Sequence, residues 1–264
     1  MTTIGFIGVG EIASAIVDGL RSEQANGPAP GPATSSPVIV LSPRSTDRSA
    51  GLAARYEAVE VEQSNQEVID RSDLIVLSVL PGQVAEVLAD LDVPADRTLI
   101  SAVAGVAVDV LSELLPHGPR IVRVIPLPAV RERRGVTAVF PADETVEALF
   151  AELGGTVVAA TEVLFSTLSA TTATMSAHFA YLEVITDWLI TQGWSRTDAE
   201  AIVRGQFVGL GSTLAETDTP VSELVAAHET PGGLNAQLRS TWMDDGNRAR
   251  LAAALTAVLD RVTG

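Results

Sequence analysis

Thr3-Ile4-Gly5-Phe6-Ile7-Gly8-Val9-Gly10-Glu11-Ile12-Ala13 is the stretch whose reading decides the fold. Thr3 to Ile7 is an apolar run of strand length that passes directly into Gly8-x-Gly10-x-x-Ala13. From Ile12 the apolar residues fall at 12, 13, 16, 17 and 20, the spacing of one helix face. Strand, glycine turn and helix in that order are what a dinucleotide site requires. Gly8 permits the tight turn, Gly10 lets the backbone approach a pyrophosphate, and a small Ala13 lets the helix pack on the strand. The helix start adds free N–H groups and the positive end of its dipole. Gly8, Val9, Gly10, Glu11 and Ile12 are therefore the candidate phosphate-binding residues.

Working outward, the chain of 264 residues is long enough for one large domain or two smaller ones with ample core. It is 47% apolar but only 4% aromatic, so the core is built of Ala, Val and Leu, which suits helices packed on a parallel sheet. The net charge of −16 argues against nucleic acid or an anionic membrane as partner. There is no cysteine, which excludes disulfides, thiolate catalysis and cysteine-based metal sites, and no metal is expected. All 17 basic residues are arginine. The lack of lysine removes Schiff-base chemistry, a phosphate-loop lysine and any lysine proton donor. No signal peptide precedes the first strand, and no run approaches the roughly 18 apolar residues of a membrane helix. The expectation is a soluble cytoplasmic protein acting on a small molecule.

After the first helix, which ends near Arg21, residues Ser22 to Pro37 are rich in Pro, Gly, Ala and Ser and predict a solvated, mobile loop. Val38 to Leu41 is the second strand, followed by Ser42-Pro43-Arg44-Ser45. In a cofactor domain the end of this strand faces the adenine ribose. An acid there suits the 2′-hydroxyl of NAD, and an arginine suits the 2′-phosphate of NADP. No acid is present, so Ser42, Arg44 and Ser45 are read as an NADP (NADPH) phosphate site. The other reading of Arg44 is an ordinary surface arginine in a helix-capping turn.

Helical spacing resumes over Arg48 to Tyr56 and Asn65 to Arg71. Leu74 to Val79 reads as a strand buried on both faces, ending at Leu80-Pro81-Gly82, with a helix following through Leu91. Thr98 to Ser101, Ile121 to Ile125 and Val136 to Phe140 are further strands. Alternating strands and helices over the first 160 residues imply a doubly wound, mostly parallel α/β sheet. The turns after its strands, at 8–13, 42–45, 78–82, 102–105 and 126–130, would line the carboxyl edge where ligands bind. Ser78, Val79, Leu80, Pro81, Ala104 and Gly105 join the cofactor set on that ground.

From Thr161 to Gly264 only helical patterns remain. Thr172 to Gln192 carries His178, Tyr181, Glu183 and Asp187 among apolar neighbours, and Arg196 to Glu216 carries Gly205, Gly209 and Gly211, which would let another helix approach closely. A short helix leads to Glu229-Thr230-Pro231-Gly232-Gly233-Leu234-Asn235, and Asn247 to Val262 closes the chain. The predicted division is 1–160 for an NADP-binding domain and 161–264 for a helical substrate and dimerisation domain.

The order of these landmarks resembles the pyrroline-5-carboxylate reductase family. GFIGVGEIASAI resembles its opening turn, SPRS its 2′-phosphate segment, and SVLPGQV, SAVAGV and RVIP with GVTA its later turns. GWSRTDAEAIVRGQFVGLGSTL resembles its glycine-bearing helix, and HETPGGLN its proline-glycine-glycine loop at the substrate site. The resemblance implies a Rossmann domain, a C-terminal helical domain that dimerises or assembles into higher oligomers built on dimers, and hydride transfer from NADPH to a C=N bond in amino-acid biosynthesis. It places Thr230 and Asn235 among the catalytic candidates, and His178, Tyr181 and Glu183 on the long helix are candidate proton donors if they reach the cleft. Turn chemistry is the alternative role for Asn235, and a satisfied interface group is the alternative for His178. Arg131, Arg133 and Arg134 are candidates to clamp a substrate carboxylate, or are simply solvated.

The departures from the family concentrate where the substrate would sit. Leu80 stands where the family has a lysine, Leu127-Pro128-Ala129 replaces an Asn-Thr-Pro segment, and Ser169 to Thr174 replaces a glycine-serine stretch. Asn235 corresponds to the threonine that holds the substrate nitrogen. A divergent member acting on a different imine is the leading reading. The alternatives are an NADP-dependent hydroxy or keto dehydrogenase and a non-catalytic NADPH-binding regulator.

Overall fold

The structure, a computed structural model, describes residues 2–21, 37–216 and 219–263. The loop predicted over 22–37 lies, apart from Pro37, outside the described residues. The chain forms two compact units, one through Ser169 and one from Ala170.

The first unit alternates strand and helix: β1 (Thr3–Ile7), α1 (Glu11–Arg21), β2 (Val38–Leu41), α2 (Thr46–Arg55), β3 (Val59–Val61), α3 (Asn65–Arg71) and β4 (Leu74–Leu77). After a 3-10 turn at Pro81–Gln83 come α4 (Val84–Leu88), β5 (Thr98–Ser101), α5 (Val108–Leu114) and β6 (Arg120–Ile125). A second 3-10 turn at Pro128–Glu132 precedes β7 (Thr137–Phe140), α6 (Glu144–Ala151) and β8 (Thr156–Val158). The helix predicted through Leu91 stops at Leu88, and β3, β8, α5 and α6 were not foreseen.

The strands form one eight-stranded sheet in the order β3-β2-β1-β4-β5-β6-β7-β8. The first six in chain order are parallel, with Phe6 paired to Leu41 on one side and Val76 on the other. Reversal comes at β7, which runs antiparallel to β6 and parallel to β8. Thus the order 3-2-1-4-5-6 of a doubly wound nucleotide-binding sheet is extended by a two-strand edge.

The continuous apolar run of β4 explains its central place. Leu74 and Val76 face one core layer, with Ile16 and Val17 of α1, Leu52 of α2 and Phe150 of α6. Ile75 and Leu77 face the other, with Ile69 of α3, Val87 of α4 and Leu111 of α5. Burial on both faces requires apolar residues at every position rather than alternate ones. Two glycines permit close packing. A β-carbon at Gly5 would lie 2.2 Å from Ser72 Oγ, and one at Gly19 would lie 2.2 Å from the carbonyl oxygen of Val130. The turn at 128–132 therefore rests directly on α1.

The division between units falls within α7 (Glu162–Thr172), and the rest of the second unit is helical: α8 (Thr174–Thr191), α9 (Arg196–Glu216), α10 (Val221–Ala227), α11 (Leu234–Trp242) and α12 (Asp245–Thr263). It buries few large side chains. Phe179, Val184, Trp188, Val208, Leu214 and Leu234 are all more than half exposed. On α9, β-carbons at Gly205, Gly209 and Gly211 would meet nothing within 4 Å. No helix of the described residues is long and apolar enough to cross a membrane.

Candidate functional site

At the carboxyl edge of the sheet, β1 ends in a turn held from both sides. The Gly8 N–H donates to Ser42 Oγ at 3.0 Å, at the end of β2. The Ser78 hydroxyl, at the end of β4, donates to the Gly8 carbonyl at 2.6 Å. Ser49 of α2 in turn donates to the Ser42 carbonyl at 2.8 Å. Gly8 has φ +86°, and a β-carbon there would sit 2.7 Å from Val79 Cγ1 and 2.8 Å from the Ser78 carbonyl oxygen. Only glycine suits this turn. Gly10 differs: a β-carbon would meet nothing within 4 Å, so its smallness serves no contact made by the described residues. It leaves room at the start of α1, where the first N–H groups have no carbonyl partner inside the helix.

The turn opens onto a cleft of about 530 Å³. Of the sequence-predicted cofactor residues, Gly8, Val9, Gly10, Glu11, Ile12, Ser42, Arg44, Ser45, Ser78, Val79 and Leu80 line it. Pro81, Ala104 and Gly105 do not. Pro81 begins the 3-10 turn after β4. The Ala102 N–H continues the ladder to the Leu77 carbonyl at 2.9 Å, so Ala102 reaches the cleft while Ala104 and Gly105 fall in the exposed turn beyond it. Asn65, Gln83 and Val87 also line the cleft and were missed. Asn65, the first residue of α3 behind its Ser64 cap, carried the one available signal, a polar side chain at a helix start.

Ser42 is fully buried, and its hydroxyl is engaged with the Gly8 N–H; its part is to hold the turn. Arg44 is exposed at the cleft and, among the described residues, forms no ion pair. Glu11 is also at the cleft, and the Arg131 hydrogen bond and charge, with help from Arg48, hold its carboxyl below the usual range. Two of the three arginines considered for a substrate carboxylate are occupied elsewhere. Arg131 binds Glu11 and Asp18, and Arg133 donates to the Gly19 carbonyl at 2.7 Å. Arg134 is exposed.

The three catalytic candidates lie in the helical unit. Asn235 is the second residue of α11, and its Nδ2 donates to the His228 carbonyl at 2.7 Å. It borders a hollow of about 1060 Å³ lined by Tyr181, Trp188, Phe207, Leu210, Leu238 and Trp242 among others. Thr230 is exposed in the preceding loop, whose turn is closed by Gly233 N–H to the Thr230 carbonyl at 2.8 Å. Arg239 grips Glu229, pinning this loop to α11 and lowering the carboxyl of Glu229. His178, on α8, borders a neighbouring hollow, its ring edge-on to Phe207 at 5.7 Å. Tyr181 and Trp242, stacked at 4.9 Å, line both hollows, so Asn235 and His178 flank one aromatic pair.

A Rossmann-type sheet with a glycine turn, open space at Gly10 and an exposed arginine at the cleft defines a dinucleotide-binding domain, here followed by a helical unit. Residues 3–105 match the family described as NADP oxidoreductase coenzyme F420-dependent, and residues 162–264 match pyrroline-5-carboxylate reductase dimerisation. The pyrroline-5-carboxylate reductase of Corynebacterium melassecola is 28% identical over 277 residues, covering 99% of this chain and 97% of the relative. The solved structure of a pyrroline-5-carboxylate reductase from Coxiella burnetii has a similar fold, with a TM-score of 0.80 at 24% identity over 99% of this chain and 97% of that one. So does that of Plasmodium falciparum pyrroline carboxylate reductase with NADP bound, with a TM-score of 0.77 at 20% identity over 99% and 97%. The chain is thus similar to pyrroline-5-carboxylate reductases over nearly its whole length.

The two glycines of the turn separate in their expected effects on stability. Gly8→Ala is expected to cost about 1–3 kcal/mol through backbone strain and overlap. Gly10→Ala is expected to be neutral or to stabilise by up to about 1 kcal/mol, because it restricts only the unfolded chain. Urea denaturation of both variants checks this; equal losses would contradict it.

Proposed function

We propose that the protein is an NADPH-dependent reductase of a cyclic imine, similar to pyrroline-5-carboxylate reductase and giving a proline-type product. The observation that carries the reading is the cleft at the sheet edge, with open space at Gly10, the first turn of α1 beside it and Arg44 free of ion pairs among the described residues. Residues 1–160 are assigned as the NADP-binding domain and 161–264 as the substrate and dimerisation domain. Gly8, Val9, Gly10, Glu11 and Ile12 form the pyrophosphate turn. Arg44 and Ser45 form the 2′-phosphate corner, with Arg44 as its cation and the buried Ser42 holding the turn behind it. Ser78, Val79 and Leu80 complete the cofactor edge, with Pro81, Ala104 and Gly105 flanking it outside the cleft. The cofactor of the Plasmodium falciparum relative supports the choice of NADP. A cysteine-free chain with no need of an oxidising compartment suits a cytoplasmic setting.

When bound, the reduced nicotinamide supplies the hydride, and the protein has to orient the C=N carbon and favour the charged imine. Asn235 is suited to the second task. Its Nδ2 is committed to the His228 carbonyl, so the atom it presents is Oδ1, an acceptor for the N–H of a protonated imine. Holding that proton keeps the substrate an iminium, the more electrophilic form. His178 and Thr230 are the remaining proton-handling candidates.

The hollow beside Asn235 is lined by no cationic side chain among the described residues, and its aromatic walls suit a ring better than a carboxylate. With NADPH, pyrroline-5-carboxylate is expected to turn over slowly, and a larger-ring imine or one lacking the carboxylate faster, by up to about 100-fold for a well-aligned substrate. Initial rates across a panel of cyclic imines check this. Fastest turnover of pyrroline-5-carboxylate at an ordinary metabolic rate would overturn the substrate preference, and turnover of no imine would overturn the reductase reading.

A homodimer through the helical unit is part of the same proposal. Its exposed Trp188, Phe179 and Val208, together with the open glycine face of α9, support an interface above about 2,000 Å² in total. Light scattering at micromolar concentration is expected to give the dimer mass or a multiple of it; a stable monomer would contradict this.

A further inference from the structure

The phosphate-binding turn contains a carboxylate. Glu11 is the first residue of α1 and lines the cleft beside Gly10. An uncompensated anion there opposes any pyrophosphate placed on the helix start, because like charges at close range repel. Compensation comes from a distant part of the chain. Arg131, in the turn after β6, places one terminal nitrogen 2.8 Å from Glu11 Oε1 and its Nε 3.0 Å from Asp18 Oδ2. One guanidinium thereby bridges two acids about two helical turns apart on α1.

Its position is tightly determined. The Val130 carbonyl sits where a side chain at residue 19 would be, and Arg133 donates to the Gly19 carbonyl from the other side of the same turn. The second oxygen of Asp18 is taken by the Tyr56 hydroxyl at 3.0 Å and Arg55 at 3.1 Å. Asp18 is thus a fixed anchor, and Arg131 is delivered to Glu11 rather than left to find it. Arg48 adds a longer contact to Glu11 at 3.3 Å, between two largely exposed side chains.

We propose that Arg131 is a positioning residue for cofactor binding: it neutralises Glu11 and holds its carboxylate aside, so that a turn bearing an acid still accepts a pyrophosphate. The assignment rests on the dinucleotide reading above. Its consequence differs from that of Arg44. Arg131 acts at the pyrophosphate, which NADH and NADPH share, so both lose affinity equally when it is removed, whereas Arg44 acts on the 2′-phosphate alone.

The test is fluorescence titration of NADPH and NADH against the native protein, Arg131→Met, Glu11→Gln and the double variant. Arg131→Met is expected to weaken both dinucleotides by roughly threefold to tenfold at low salt, with the loss shrinking as ionic strength rises. Glu11→Gln is expected to bind at least as tightly as the native protein. In the double variant, affinity is expected to return towards native although the brace to Asp18 stays broken. Rescue is the readout that a purely structural brace would not give. Native affinity in Arg131→Met, weakened binding in Glu11→Gln, or a double variant as weak as Arg131→Met would each overturn the assignment. Should Arg131→Met fail to fold, Glu11→Gln alone decides, since weaker binding there contradicts the proposal. A native protein that binds neither dinucleotide would overturn the dinucleotide reading and this assignment with it.

Discussion

Gly8 is held by its N–H on Ser42 and by its carbonyl on Ser78, and the cofactor edge depends on that pair of hydrogen bonds. They tie the end of β1 to the ends of the strands on either side, β2 and β4. The turn is therefore fixed in three-strand register rather than draped over one strand. A left-handed glycine and two buried or half-buried serines accomplish this with short side chains. Hydrogen bonds of this kind, between serine hydroxyls and the backbone, are modest in net energy, but an unmade one in a buried turn costs more than a made one contributes. The same two bonds set where α1 starts, and so where its unpaired N–H groups point.

A second constraint is charge. The whole chain has 33 acids against 17 arginines and no lysine, and the first unit uses buried and shared guanidinium contacts to settle its acids. Arg131 bridges Glu11 and Asp18, Arg123 is buried against Glu162 and over the Phe165 ring, and Arg120 supports the Asp143 cap of α6. The planar fork of arginine suits one cation shared by two acceptors better than an ammonium does. Against this pattern, Arg44 stands out at the cleft as a guanidinium without an acidic partner among the described residues.

The opening strand, turn and helix were legible because three separate signals coincide there: an apolar run, two glycines and a helical repeat. β4 was legible because burial on both faces writes a continuous apolar stretch. β3 and β8 were not, because each is a three-residue edge strand with exposed positions and no run to read. Nor does a sequence show that β7 runs against β6; the residues Thr137 to Phe140 suit either direction. At the site, residue types were readable but orientations were not. Ser42 looked like a phosphate hydroxyl and is turned inward to Gly8. The arginines at 131 and 133 looked free for a substrate and are spent on α1. The amide of Asn235 could point either way until the His228 carbonyl, seven residues earlier in the chain, fixed it. Such pairings are set by tertiary approach, which local pattern does not encode.

We propose that the open space at Gly10 and the arginine after β2 together form one NADP seat. A crystal structure of the protein grown with NADPH measures this most directly. The expected result is a pyrophosphate on the N–H groups that open α1, beside Gly10, and a 2′-phosphate on the Arg44 guanidinium, with the Ser42–Gly8–Ser78 hydrogen bonds unchanged. A nucleotide bound away from this edge, or bound here with Arg44 turned to solvent, would contradict it.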